Sequence, residues 1–204
     1  MREDGLKVQC LADVQRLVRE TVERFGAIHV LVNNAGSVPS MQFSEVDDTQ
    51  WYEMLEEKLL SYIRVTREIV PHMRKAAWGR IINIAGGGGK QPTTTGMAVG
   101  VNNAAVINWT KSLSLQYAAD GILVTTIAPG KIDTPRQVQN RVCEVEIRGM
   151  TLEVLLGEGV HDISLKRVGR PEEVAAVVVF LASEQSSYMT GTCVTVDGGV
   201  TRGI

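Results

Sequence analysis

Four consecutive glycines, Gly86–Gly89, follow the β-branched stretch Arg80–Ile84, and a glycine run after a strand is what a phosphate cradle is built from. The remainder of that motif is missing. Lys90 is followed by Gln91 instead of Ser or Thr, and Ile84 occupies the position of the first glycine. The run therefore reads as a flexible loop on the substrate side of a fold. Two other strings place small or amide-bearing residues where a strand ends: LVNNAG at Leu31–Gly36 and APGKIDTP at Ala128–Pro135. Small side chains there let a flat ligand approach the backbone, and the amides of Asn33 and Asn34 can bridge adjacent strand ends. Metal chemistry has no such support. The three histidines (His29, His72, His161) and three cysteines (Cys10, Cys143, Cys193) are far apart, with no CxxC pair, so neither a metal centre nor a disulfide framework is expected. The cysteines read as reduced thiols, with Cys193 on a strand in the core.

These strings need elements to hold them, and the pattern alternates strand and helix. Leu6–Leu11 reads as a short strand. Val14, Leu17, Val18, Val22 and Phe25 then recur at helical spacing, and Gly26 ends the helix. Ile28–Val32 is a β-branched strand, and Asp47-x-x-Gln50 resembles a capping box opening a helix through Trp51, Leu55, Leu59, Tyr62, Val65 and Ile69. Strand Arg80–Ile84, helix Ala98–Tyr117 and strand Ile122–Ile127 follow. Pro129 and Gly130 break the chain, and Lys131–Val160 is irregular. Pro171 opens a helix to about Ala182, and Cys193–Val196 is a final strand. Such alternation predicts an α/β fold, a doubly wound parallel sheet, in a single domain over 1–204. Ligands of such sheets bind outside the carboxyl ends of the strands, here Asn33–Ser37, Ala85–Lys90 and Ala128–Arg136.

Composition narrows the function further. The 204 residues are 44% hydrophobic and 22% charged, with a formal net charge of −2, which argues against a nucleic-acid or anionic-membrane partner. The longest apolar run, Val174–Ala182, has nine residues, where a span needs about 20. The first ten residues, MREDGLKVQC, lack the apolar region of a secretory signal, so a cytoplasmic location is expected.

LVNNAG, APGKIDTP, GRPEEVA (Gly169–Ala175) and TGTCVTVDGG (Thr190–Gly199) occur in order. Together they resemble the short-chain dehydrogenase/reductase family over nearly the whole length. The resemblance implies a Rossmann-like fold, oxidoreductase ancestry and a nicotinamide cofactor, NAD(P). It assigns a remnant cofactor-binding set of Asn33, Ala35, Gly36, Pro129, Gly130, Ile132 and Thr134, with the Ile132 backbone and the Thr134 hydroxyl at the nicotinamide end. It also implies a homo-oligomer, or association with another chain of the family, through the helices after Trp51 and Ala98.

The departures from the family pattern carry as much information. The chain starts at what resembles the third strand of the family, so the first two strands and the Gly-rich turn are missing. Tight cofactor binding is therefore not expected. Leu6–Leu11 is expected to pair directly, in parallel, with Ile28–Val32, giving a five-stranded parallel core with the final strand at the far edge, unless a partner chain covers the edge at Ile28–Val32. The string NAAVINWTKSL (Asn103–Leu113) sets the register of the family's catalytic positions. The Tyr position, the general acid, is Val99, and the Lys position is Asn103. Gly86 stands at the Ser position and Lys58 at the Asn position. No tyrosine lies between Gly79 and Tyr117.

Two candidates remain for chemistry. Lys58 is either a base or Schiff-base nucleophile aimed at the strand ends, or part of a solvated helix face with Glu53, Glu56 and Glu57. Asn103 either orients a polar ligand or is a buried amide. His29 and His72 read as structural, whereas His161 has a place near a pocket as its alternative. The resulting expectation is a degenerate family member that binds a small molecule or serves assembly, without ordinary carbonyl reduction. The alternatives are a nicotinamide-independent lyase or isomerase, and a fragment of a longer protein of the family.

Overall fold

Arg80–Ile84 and Ile122–Ile127 are dense in β-branched residues, and they become the two central strands of the sheet. The computed structural model describes residues 7–36, 43–93, 96–135, 145, 149 and 160–203. Its strands are β1 (Val30–Asn33), β2 (Gly79–Ile84), β3 (Ile122–Pro129) and β4 (Cys193–Val196), all parallel in the order β1-β2-β3-β4. The helices are α1 (Leu11–Phe25), α2 (Asp48–Leu55), α3 (Ser61–Ala76), α4 (Met97–Tyr117) and α5 (Pro171–Ala182). The Asp47–Gln50 capping box forms as expected: Gln50 N donates to Asp47 Oδ1, and Asp47 N to Gln50 Oε1, each at 2.8 Å. Among the described residues no helix is long and apolar enough to cross a membrane.

Apolar side chains divide between the two faces of the sheet. On one face, Val14 and Val18 of α1 and Val65, Ile69, Val70 and Met73 of α3 pack on Leu31, Ile81, Ile122 and Val124. On the other, Val174, Val177, Val178 and Leu181 of α5 cover Ile82, Ile127, Val194 and Val196. This is the doubly wound arrangement of an α/β Rossmann-like sheet. Cys193 is only half-buried on β4.

Among the described residues of Leu6–Leu11, which are 7–11, no strand forms. Cys10 N donates to Lys7 O at 2.8 Å in a tight turn, and Lys7 N donates to Asp13 Oδ2 at 3.2 Å. Leu11 is already the first residue of α1. Only Val8 of residues 7–10 packs against the core, and one anchored side chain does not hold a strand against the local turn. The described sheet thus has four strands, with β1 at its edge and Val30 and Val32 each 40% exposed. Leu6, Ser37, Arg136, Cys143 and most of the segment expected to be irregular lie outside the described residues.

Candidate functional site

Between α2 and α3 the helix widens into one π turn, Glu56–Leu60, with Lys58 at its centre. Ser61 Oγ donates to Glu56 O at 2.7 Å and so satisfies a carbonyl beside the widened turn. Glu56 itself pairs with Arg64 at 2.8 Å. Such turns recur at functional sites because they re-aim a side chain. Lys58 is half-buried and reaches across to α4. Its Nζ donates to Asn103 Oδ1 on α4 at 2.7 Å and lies 5.9 Å from the centre of the Tyr62 ring. Tyr62 is buried, which pushes its phenol well above the ordinary value, and its hydroxyl donates to Ile84 O at 3.3 Å.

The end of β2 meets the same pair. A Cβ added to Gly86 would sit 3.0 Å from Asn103 Nδ2 and 3.8 Å from Asn103 Cγ. The glycine run is not a free loop. It forms a three-residue turn, Gly87–Gly89, seated on α4, where a Cβ at Gly89 would lie 2.7 Å from Asn103 C and 2.8 Å from Ala104 N. Those are backbone atoms that cannot yield. After β1, Gly36 has φ +140°, and its added Cβ would meet Glu57 O at 3.1 Å and Lys58 Cβ at 3.3 Å. The strand end therefore approaches the π turn only through a glycine. Gly36, Lys58, Gly86 and Asn103 converge, and Gly87 brings Pro129 O to within 3.5 Å of its would-be Cβ. Val99, one helical turn before Asn103, packs with Met54, Trp51 and Ala98.

Other expected cofactor residues are placed differently. Asn33 is buried, and its Nδ2 donates inward to Asn83 Oδ1 at 2.8 Å and Thr66 Oγ1 at 3.1 Å. Asn83 Nδ2 donates to Thr110 Oγ1 at 2.9 Å, and Thr126 Oγ1 donates to the same atom at 2.7 Å. This ladder ties three strands to α3 and α4 and holds the Asn33 amide away from a ligand. Bridging by Asn33 was legible in the sequence. The Asn83, Thr66, Thr110 and Thr126 partners were not, although an Asn inside the apolar run RIINI was the available signal. Gly130 donates its N–H to Val196 O at 3.0 Å and is packed against Asp197. Ala35 is exposed and Thr134 half-buried.

Ile132 forms a parallel bridge with Gly169: Asp133 N donates to Gly169 O at 2.8 Å and Gly169 N to Lys131 O at 2.9 Å. In such a bridge the flanking residues make the bonds, so the Ile132 amide groups themselves face away from Gly169. Beside it lies a cleft of about 490 Å³ lined by Ile132, Leu165, Thr195 and Val196 among others. Its rim charges are paired internally. Arg167 makes 2.8 Å and 2.7 Å bonds to the two carboxylate oxygens of Glu173. That contact, with the Arg170 N–H, holds the Glu173 pKa at about 2. Burial alone would raise Asp197, but bonds from Thr201, Gly199 and Val200 hold it below its ordinary value. His161 is 84% exposed beside Asp162 and does not line the cleft. His29 packs edge-on to Trp78 with centroids 5.9 Å apart, and His72 is half-buried in α3.

Known proteins resemble this chain in sequence and in fold. The sequence pattern of the enoyl-(acyl carrier protein) reductase family matches residues 6–201. The chain is 34% identical to the 3-oxoacyl-[acyl-carrier-protein] reductase FabG of Thermotoga maritima, over 92% of this chain and 72% of the relative. It is 36% identical to the L-fucose dehydrogenase of Rattus norvegicus, over 94% of this chain and 68% of the relative. Among solved structures, YwfH, an NADPH-dependent reductase involved in bacilysin biosynthesis, superposes with a TM-score of 0.90 at 30% identity. That match covers 98% of this chain and 77% of YwfH. An actinorhodin polyketide ketoreductase with NADPH gives 0.92 at 30% identity, covering 97% and 76%. The strand-end strings, the parallel sheet and these matches agree, and the chain belongs to the short-chain dehydrogenase/reductase family.

Proposed function

We propose that this chain is a single-domain member of the reductase family that binds a small molecule at the Lys58–Asn103 site and does not carry out ordinary carbonyl reduction. The observation that supports this most directly is the 2.7 Å bond from Lys58 to Asn103, with Val99 turned into apolar packing one helical turn away. Reduction of a ketone makes an alkoxide that must be protonated as it forms. Val99 has no proton to give, Gly86 has no hydroxyl, and the Tyr62 phenol is buried and donates to a backbone carbonyl. Absence of a positioned general acid typically lowers the rate by about 10²–10⁴-fold.

The family implies a nicotinamide dinucleotide, and the residues fit one half of it. The outward-facing amide groups of Ile132, with Gly36 and Pro129 at neighbouring strand ends, suit the nicotinamide. A pyrophosphate needs a glycine-rich turn leading into a helix N-terminus. Among the described residues, the glycine run that follows a strand is seated on α4 and filled by Asn103 and Ala104, so that run offers a pyrophosphate no cradle. Exposed Leu115 (74%) on α4 and Tyr52 (73%) on α2 support association with another copy or family member. The test is a steady-state assay of NADH and NADPH oxidation with simple ketones and a 3-oxoacyl thioester. No turnover above the no-enzyme rate is expected, and reductase-level turnover would refute the reading.

A second reading, a nicotinamide-independent lyase or isomerase, is favoured by the π turn that carries Lys58 to the strand ends. If Lys58 acts as nucleophile or base, an amine reagent near neutral pH should modify it before exposed Lys75. Equal labelling of the two lysines would remove this reading.

A further inference from the structure

We infer that two copies of this chain join edge to edge through β1, antiparallel across a two-fold axis, into one continuous sheet. This face is distinct from the α2 and α4 surfaces named above. Among the described residues β1 is hydrogen-bonded on one side only, to β2. Arg80 N donates to His29 O at 2.9 Å. The backbone groups of the alternate residues Leu31 and Asn33 therefore face β2 as well, and those of Val30 and Val32 face the free edge. The side chains of the same two valines are each 40% exposed. Their register with Arg80 and Ile82 puts them on the α5 face of the sheet, outside the cluster that α5 covers.

An edge of this kind is self-complementary. Hydrogen-bonded antiparallel pairs form only between residues whose backbone groups face each other. With Leu31 on the two-fold axis, Val30 opposes Val32 of the second copy, and Val32 opposes its Val30. Each such pair exchanges both N–H···O bonds, and the valines of the two copies close into one apolar row beside Ile82. A second copy fits better than an unrelated strand because one short sequence satisfies both sides. Helix α1, which packs with Leu31 on the other face, adds complementary charge. Its exposed residues run from basic to acidic, with Arg16 and Arg19 before Glu20 and Glu23. The same axis sets two α1 helices antiparallel, so the bases of one lie toward the acids of the other. Arg24, which breaks that order, is stacked on the Phe25 ring at 5.3 Å.

The test follows the full chain by analytical ultracentrifugation from micromolar to millimolar concentration, with amide hydrogen exchange read by NMR on the same samples. The parent should associate, and the Val30 and Val32 amides should be protected in the associated state and exchange freely on dilution. Val32→Pro removes an outward N–H without touching a bond to β2, and proline is tolerated on an edge strand. Val32→Lys sets two ammonium groups diagonally across the seam. Each variant should weaken association about 10- to 100-fold, with its far-UV circular dichroism unchanged. Should either variant fail to fold, exchange of the two amides in the parent decides the matter. A chain that stays monomeric at millimolar concentration overturns the inference, as does association in which both amides still exchange freely. Association lost in Leu115→Lys but unchanged in Val32→Pro assigns the contact to α4 and likewise overturns it.

Discussion

Lys58 and Asn103, 45 residues apart in sequence, are joined by a 2.7 Å hydrogen bond from the ammonium to the carboxamide oxygen. The bond straps the π turn before α3 to the buried side of α4. It also makes the two positions interdependent. A lysine at position 103 would replace the acceptor by a second ammonium, and two like charges would face each other at the strand ends.

For that reason Val99→Tyr combined with Asn103→Lys is expected not to create a reductase. The two new side chains would share a helix face at i and i+4, yet Lys58 would oppose the new lysine, and the described glycine run, seated on α4, offers a pyrophosphate no cradle. Ketone reduction should stay at the wild-type background. Reduction above that background in the double variant would show that a working cofactor site exists.

Gly89→Ala should destabilise the fold by about 1–3 kcal/mol. The added methyl would sit 2.7 Å from Asn103 C and 2.8 Å from Ala104 N, so the turn and α4 must separate. Urea denaturation measures the difference. An unchanged midpoint would mean that the turn is not seated on α4.

Asn83→Ala should cost about 1–3 kcal/mol. It removes the acceptor of Asn33 Nδ2 and the donor to Thr110, leaving buried polar groups without those partners across β1, β2 and β3. The same denaturation experiment reads it. A loss below about 0.5 kcal/mol would contradict the buried ladder.

Glu173 makes a pH-dependent contribution of definite sign. Its pKa is held at about 2, below the ordinary 4.5. The carboxylate therefore stabilises the fold above pH 4.5, and the contribution is lost as pH falls from 4.5 toward 2. Glu173→Gln should flatten the fall in stability across that window in pH-resolved thermal melts. An identical pH profile in variant and parent would remove the Arg167–Glu173 contact from the account.

Sequence pattern located most elements because each is decided locally. The β-branched runs at Arg80–Ile84 and Ile122–Ile127 became central strands, and the Asp47–Gln50 box capped a helix. Leu6–Leu11 misled because its apolar residues suggest a strand, whereas the Lys7–Cys10 turn and Asp13 begin a helix. The glycine run misled for a different reason. Its packing partners, Asn103 and Ala104, are brought by a distant helix, and no local rule announces them. Lys58 was visible as a residue through the family register. Its direction stayed open between the strand ends and the solvated face, because the π turn that aims it depends on Ser61 and on the meeting with α4.

The central claim, that this member of the family does not work as an ordinary nicotinamide-dependent reductase, is tested most directly by titrating the full chain with NADPH and with NADH by calorimetry. The account predicts no binding in the low micromolar range or tighter for either cofactor, because the described glycine run is filled by α4 and offers no cradle to a pyrophosphate. A dissociation constant at or below the low micromolar range for either cofactor would contradict it.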